Sequence, residues 1–367
     1  EALEQTKHYA ESAIEKVAFH QDLRVEASGT EINLLGKSGI PARLSHHAFG
    51  QIAGMAGAPA GYLRELPATL AAQNVNHGLK ARGDNSKAQL LFHSNGSVLL
   101  RAITSDSYSR IWNHEVFERL QEMTGNGWKV PPARPSGRSD TRARPATEAD
   151  ILRKSNSVGG LKVKVGDMIA PAGVYASDHD MFCFMVNEDR RIEDGSADGL
   201  TRGAFFWNSE VGAKSFGMQE FYLKAVCGNH IVWGASGVRE LRIRHVGRGA
   251  RAAFGQVQRT LRAYNNAGAS AMEGQIRSAQ AMILGDNREK TLDAVYSLVS
   301  KKRIPLGQKL LGEALDLAER RTDDYGNPRT VWAVGNALTE LSQRAGYAED
   351  RVTIDTAAGK LMQAAVF

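Results

Sequence analysis

GAFFWNSEVGAKSFGMQEFYLKAV, residues 203–226, decides the architecture of this 367-residue chain. Its aromatic and aliphatic residues come in short runs broken by Asn208-Ser209-Glu210, Gly212 and Gly217, the spacing of strands joined by tight turns. LKVKVGDMIAP, AGVYAS and MFCFMVNED precede it and ELRIRHV comes after it, so residues 161–246 read as strand-rich. The connections are too short for helical crossovers, which makes an antiparallel sheet the expected solution.

Beyond Arg248 the apolar period becomes helical in QVQRTLRAY, KTLDAVYSLVS, LGQKLLGEALDLAERR and TVWAVGNALTELSQRAG, so the C-terminal part is expected to be a helical layer. Upstream, residues 1–18 read as an amphipathic helix and Leu23 to Leu35 as a short strand pair. Ser45 can cap a helix running through Met55, and Pro59 and Pro67 sit where a first helical turn tolerates proline. AQLLFHS and SVLLRAIT, residues 88–94 and 97–104, flank Asn95-Gly96, the dipeptide of a two-residue hairpin turn. Asn113 can open a helix carrying Val116, Phe117 and Leu120 on one face, with Gly125 at its end. The expected class is α+β: residues 1–130 with short helices and a hairpin, 131–147 as a linker or loop, 148–247 as the antiparallel sheet, and 248–367 helical. No repeat at a fixed period points to a solenoid or propeller.

Composition narrows the function. The 46 Lys and Arg against 40 Asp and Glu give a net charge of +6, mildly basic. Two cysteines, Cys183 and Cys227, cannot build a disulfide framework or a four-cysteine zinc site, and a reducing cytoplasm fits them best. No apolar run approaches the length of a membrane helix. The first residues lack both the apolar core of a secretory signal and an initiator Met, which suggests a trimmed terminus. Residues 131–147, PPARPSGRSDTRARPAT, hold four of the ten prolines and four arginines against one Asp, with no large apolar side chain. They cannot build a core, and read as a solvated linker or as a basic arm near an anionic partner.

Two segments suggest nucleic acid. QIAGMAGAPAGYLREL places Ala53, Gly57 and Leu63 at helix-turn-helix spacing, yet offers only Tyr62, Arg64 and Glu65 to base edges, so a plain helix pair competes. Residues 239–262 are the densest basic stretch, with seven arginines and Glu240 as the single acid. In ELRIRHV, alternation puts Leu241 and Ile243 on one face and Arg242 and Arg244 on the other, suited to tracking a phosphate backbone. Arg239, Arg248 and Arg251 extend that path, and Arg101 and Arg110 are candidates to lengthen it. Tyr108 and Trp207 are the aromatics placed to stack bases, with core packing as the competing role.

Enzyme signals are thinner. Asp178-His179-Asp180 supplies oxygen and imidazole ligands, but neighbours on a strand point to opposite faces. No phosphate-binding loop, dinucleotide fingerprint, HExxH or GxSxG is present. Cys183 in FCFMV reads as packing; Cys227, three residues before His230, is the thiol with a candidate base.

WNSEVGAKSFGMQEFYLKAVCGNHIVWG clusters Asn208, Ser209, Glu210, Gly212, Gly217, Gly228 and Asn229 between strands, polar and small residues that packing does not explain. Together with LLRAITSDSYSRIWNHEVFERL and TVWAVGNALTEL, it resembles the phage and plasmid family catalogued as domain of unknown function 932, from about Leu44 to Met362. The resemblance implies a mobile-element origin and a cytoplasmic protein; it carries over no catalytic residue. By analogy of architecture, a basic strand on an antiparallel sheet is similar to single-strand annealing recombinases.

The expected function is sequence-independent nucleic-acid binding, of single-stranded DNA in replication or recombination, by a homo-oligomer that needs no metal or other cofactor. The alternatives are a metal-dependent nuclease using Asp178, His179, Asp180 and Glu210, or another host-directed enzyme, and a protein-interaction module such as an inhibitor of host defence.

Overall fold

The computed structural model describes residues 2–35, 41–82, 85–95, 97–130, 144–145, 168–169, 174–176, 180–192, 199–224, 230–232, 240–267, 270–342 and 348–366. The class is α+β, with an antiparallel sheet and a helical C-terminal part as expected.

A helix, α1 (Ala2–Glu11), precedes a first sheet of six strands: β1 (Ala13–Phe19), β2 (Arg24–Ser28), β3 (Glu31–Leu35), β4 (Pro41–Leu44), β5 (Lys87–Asn95) and β6 (Ser97–Ser105). Their spatial order is β1-β5-β6-β4-β3-β2, antiparallel throughout except for β4 beside β6. Residues 1–18 are therefore not one helix. Ile14, Val17 and Phe19 suit a pleated edge, and pairing with β5 decides the ambiguity that a short apolar pattern leaves. The hairpin at 88–104 forms as β5 and β6, although Gly96 lies outside the described residues. Its pairing shifts between Leu91–Ala102 and Phe92–Leu100, so Arg101 is an extra residue in β6, a β-bulge.

Between β4 and β5 the chain forms α2 (His46–Ala56), α3 (Ala60–Glu65) and α4 (Ala68–Arg82). The Ser45 hydroxyl accepts from the Ala48 N–H to start α2, and Gly57 ends it in the left-handed region at φ 73. Ile52, Ala53, Leu63, Val75 and Leu79 pack on Val25, Leu34, Leu100 and Ile103. The expected helix-turn-helix segment is this α2–α3 pair; its second helix has six residues, and Arg64 lies over the Phe49 ring.

After α5 (Asn113–Met123) comes the second sheet. Its strands are β7 (Trp128–Lys129), β10 (Val174–Ala176), β11 (Met181–Ile192), β12 (Leu200–Asn208), β13 (Phe216–Lys224), β14 (His230–Val232) and β15 (Glu240–Ile243). They run β10-β11-β12-β13-β14, with β15 on β13 and β7 on β11, all antiparallel. A separate pair joins β8 (Arg144–Pro145) to β9 (Met168–Ile169); the rest of the Pro- and Arg-rich segment at 131–147 lies outside the described residues.

The C-terminal layer is α6 (Gly247–Arg251), α7 (Ala253–Asn266), α8 (Ser270–Ala281), α9 (Arg288–Lys301), α10 (Gln308–Arg320), α11 (Thr322–Tyr325), α12 (Val331–Ser342) and α13 (Ala348–Gln363). It shares a core with one face of the second sheet, through Met181, Met185, Phe206, Phe216 and Met218. The other face gathers Phe182, Phe184, Phe205, Trp207 and Phe221.

In the first sheet's helical layer, a Cβ built on Gly78 of α4 would sit 2.1 Å from the Ala56 carbonyl oxygen of α2. Gly78→Ala is therefore expected to cost about 1–3 kcal/mol through forced separation of the two helices. Urea unfolding followed by circular dichroism reads this directly, and an unchanged midpoint would contradict the crossing.

Candidate functional site

The polar run at 208–212 is the turn from β12 to β13. Gly212 takes φ 84, its N–H reaches the Ser209 carbonyl at 3.3 Å, and the Ser209 hydroxyl accepts from the Ala213 N–H at 2.9 Å. Asn208, Ser209 and Glu210 are fully buried because this turn inserts behind the first sheet. There Val211 packs with Leu91 and Ala102, and its carbonyl accepts from His47 Nε2 at 3.1 Å.

Glu210 is the centre of the seam. One carboxylate oxygen accepts from Arg101 Nη2 at 2.7 Å, and the other from the Asn113 N–H at 3.0 Å, at the start of α5 where the helix dipole favours an anion. The bulge re-aims Arg101 so that its guanidinium reaches Glu210 while lying 4.6 Å from the Tyr9 ring centre. Asn208 Nδ2 donates to the Ile111 carbonyl and to Asn113 Oδ1, both at 2.8 Å.

Tyr108 closes the seam on the other side. Its hydroxyl donates to the Ser209 carbonyl at 3.0 Å, which leaves the phenolic oxygen to accept from His245 Nδ1, also 3.0 Å away. The two rings stack with centroids 5.0 Å apart, and the Ser109 N–H donates to the His245 carbonyl at 2.7 Å. Burial, then the Arg110 charge, pushes the imidazole down to about 4, so it is neutral at pH 7. Burial likewise drives the Tyr108 hydroxyl well above the ordinary tyrosine value.

These contacts redistribute the expected site residues. Arg101 is enclosed against Glu210 and meets no solvent, so it cannot serve a phosphate. Arg110 has a side chain only 5% exposed; it donates to Glu15 at 2.7 Å and to the Glu210 carbonyl, and lies over the Tyr108 and Trp112 rings. Trp207 is buried with its indole against Gly217, where any Cβ would clash, and Tyr108 is committed to Ser209 and His245. None of these four presents a free surface for phosphates or bases. Arg242, Arg244 and Arg248 are exposed, with Ile243 buried and Leu241 half-buried between them, the alternation read from ELRIRHV. Arg242 also donates to Glu240. Arg239 and the side chain of Arg251 lie outside the described residues.

The metal-centred alternative loses its fourth ligand, since Glu210 is spent on Arg101 and Asn113. Asp180 is buried with Lys214 at 3.8 Å, while Asp178 and His179 lie outside the described residues. Among the described residues no three His, Cys, Asp or Glu side chains converge on a metal position. Burial raises the Cys183 thiol to about 12, as a packing residue requires; Cys227 lies outside the described residues. Sequence reasoning flagged Asn208–Gly212 but missed Asn113, His47, Tyr9 and His245 as its partners, because nothing local to those residues announces a contact a hundred positions away.

The fold and the seam define an α+β protein whose second sheet, backed by C-terminal helices, is locked to a separate N-terminal sheet. A sequence model of the family described as domain of unknown function (DUF932) matches residues 150–365, more than half of the chain, and the chain belongs to that family. The match takes in the Asn208–Gly212 turn, β15 and the C-terminal helices; the hairpin block of the sequence resemblance lies outside it. No curated protein and no solved structure matches the chain. Among the described residues no helix is long and apolar enough to cross a membrane.

Glu210→Gln leaves the buried Arg101 charge without its counter-ion and is expected to cost about 3–5 kcal/mol in urea unfolding. Replacing both partners, Arg101→Met with Glu210→Leu, is expected to cost less than the single change; the reverse order would refute the pair. A second expectation concerns acid. Between the ordinary histidine value of 6.5 and about 4, the unfolded chain binds a proton that folded His245 refuses, so stability falls as pH drops through that window. His93, also shifted down by burial, adds a contribution of the same sign. Melting temperatures at pH 7.5 and 5 should therefore differ less for His245→Gln than for the wild type.

Proposed function

We propose that this protein binds nucleic acid without sequence specificity, single-stranded DNA in particular, during replication or recombination of a phage or plasmid in the host cytoplasm. The observation that carries this reading is the row of exposed arginines, Arg242 on the edge strand β15, Arg244 just after it and Arg248 at the start of α6. Residues two apart on a strand are about 7 Å from each other, so Arg242 and Arg244 can each meet a different phosphate. The buried Ile243 fixes the strand's inner face, which turns Arg242 and Arg244 outward; Arg242 exchanges its Glu240 partner for a phosphate. A sequence pI near 9.2 and the net charge of +6 support the same class of partner.

With Trp207 buried and the half-buried Tyr108 bonded to Ser209 and His245, this interface works by charge rather than stacking, so little preference among bases is expected. Annealing by this route requires no metal or nucleotide.

Fluorescence anisotropy with labelled single-stranded oligonucleotides across a salt series tests the proposal. Three arginine–phosphate contacts give a slope of log K against log salt of about −2, and Arg242→Ala with Arg244→Ala should remove about 1.4 of it. An absence of binding at low salt, or affinity unchanged in the double variant, would overturn the assignment.

A further inference from the structure

The two sheets treat their edges differently. On β2 the exposed side chains include Arg24 and Glu26, with Val25 buried. On β15 they are Glu240 and Arg242, and β7, β8, β9, β10 and β14 have two or three residues each. Charge and shortness are the usual guards against edge-to-edge pairing. β1 lacks the second guard, and its two charges are engaged within the chain, Glu15 on Arg110 and Lys16 beside the Phe92 ring. It runs seven residues, contains no proline, and exposes Ile14, Val17 and Phe19 at 44%, 65% and 40%. Val17 is the most exposed large apolar side chain among the described residues.

The backbone of β1 is also ready to pair. Ser12 and His20 are bonded to β5 through Ser94 and Ser86, so the even-numbered residues spend their groups inward. Ala13, Glu15, Val17 and Phe19 turn their N–H and C=O groups outward. β5 is the one strand paired with β1 among the described residues.

We propose that the outer edge of β1 is a homodimer interface, where a second copy of this chain adds its own β1 antiparallel about a two-fold axis at Val17. The exposed apolar side chains point to a second copy, which covers them with their own kind, and charge excludes two of the registers. A two-fold axis perpendicular to the sheet passes through a residue, which then faces itself. An axis at Glu15 opposes two carboxylates, and one at Lys16 opposes two ammonium groups, each unfavourable. An axis at Ile14 leaves Val17 and Phe19 uncovered. With the axis at Val17, the two Val17 side chains meet, Glu15 lies opposite Phe19, and Lys16 lies opposite Ala18. Glu15 keeps its Arg110 partner at 2.7 Å, and Lys16 keeps its place 5.8 Å from the Phe92 ring centre. The outcome is one continuous sheet of twelve strands built from two of six. This interface is independent of the nucleic-acid reading.

Sedimentation equilibrium of the full chain tests it, with a mass of twice 39.9 kDa expected. Val17→Lys places two ammonium groups on the axis and should yield monomer at the same concentration, with an unchanged circular dichroism spectrum. Under mild oxidation, Val17→Cys should form a disulfide-linked dimer, since Cα atoms of a hydrogen-bonded antiparallel pair lie about 5.5 Å apart, within disulfide reach. Ile14→Cys should not link, because its two copies would be offset by about 20 Å. The wild type serves as the blank for the native cysteines. A monomeric wild type, a dimer that survives Val17→Lys, or linkage by I14C in place of V17C would each overturn the proposal.

Discussion

Two opposite charges enclosed 2.7 Å apart, Arg101 and Glu210, constrain the rest of the molecule. Removing either ion from water costs several kcal/mol, and the interior offsets this only when geometry and further hydrogen bonds are good. Three features supply that geometry: the β6 bulge that aims Arg101, the tight turn that carries Glu210, and the first N–H of α5 on the second carboxylate oxygen. Each belongs to a different stretch of chain, so the pair ties the N-terminal sheet, the connecting helix and the second sheet into one arrangement. The residues matched by the family contain the acid but not the arginine. The buried carboxylate of that core is therefore satisfied here from outside it.

That seam explains which features were legible in the sequence. Strand alternation, the β5–β6 hairpin, the helix near Asn113 and the C-terminal helices arise from local periodicity, which a single sequence carries; the caps of α5 differ from the expected ones, since Trp112 rather than Asn113 is its N-cap and Gly127 rather than Gly125 is left-handed. The back face of the first sheet does not. Arg101 in SVLLRAIT and Arg110 in SYSRIW look like surface arginines, because the side that buries them comes from residue 210. Tyr108 and Trp207 resemble stacking platforms for the same reason, and the turn and Gly217 that occupy them are distant in sequence or across a strand. The parallel contact of β4 with β6 was equally hidden, since it closes around three helices and a hairpin strand. β1 was misread as helix because its short apolar pattern suits either state until β5 pairs with it.

ELRIRHV was legible because its alternation is enforced from one side only. Ile243 is held by the core, and the opposite face is left to solvent, so Arg242 and Arg244 could be placed outward with no knowledge of the fold. The role of the next residue, His245, was hidden. It is the point at which the arginine-bearing chain is fastened to the N-terminal half, through Tyr108 and the Ser109 N–H. Burial, and then the Arg110 charge, keeps its imidazole neutral there. The position of the exposed arginines thus depends on the same polar seam that buries Arg101 and Arg110.

The chain carries many arginines, and burial sorts them into two physical kinds. Those facing the junction of the sheets are neutralised by Glu210, Glu15 and backbone carbonyls, and contribute to cohesion rather than to the field outside. Those on and just after β15, Arg242 and Arg244, face solvent. Their charge makes that edge open to a polyanion. On β1 the one acid and the one base are engaged within the chain, and three large apolar side chains, Ile14, Val17 and Phe19, are exposed beside them. On the two proposals made above, one edge takes a partner unlike itself and the other a partner like itself, a division that follows from where each strand's charges are spent.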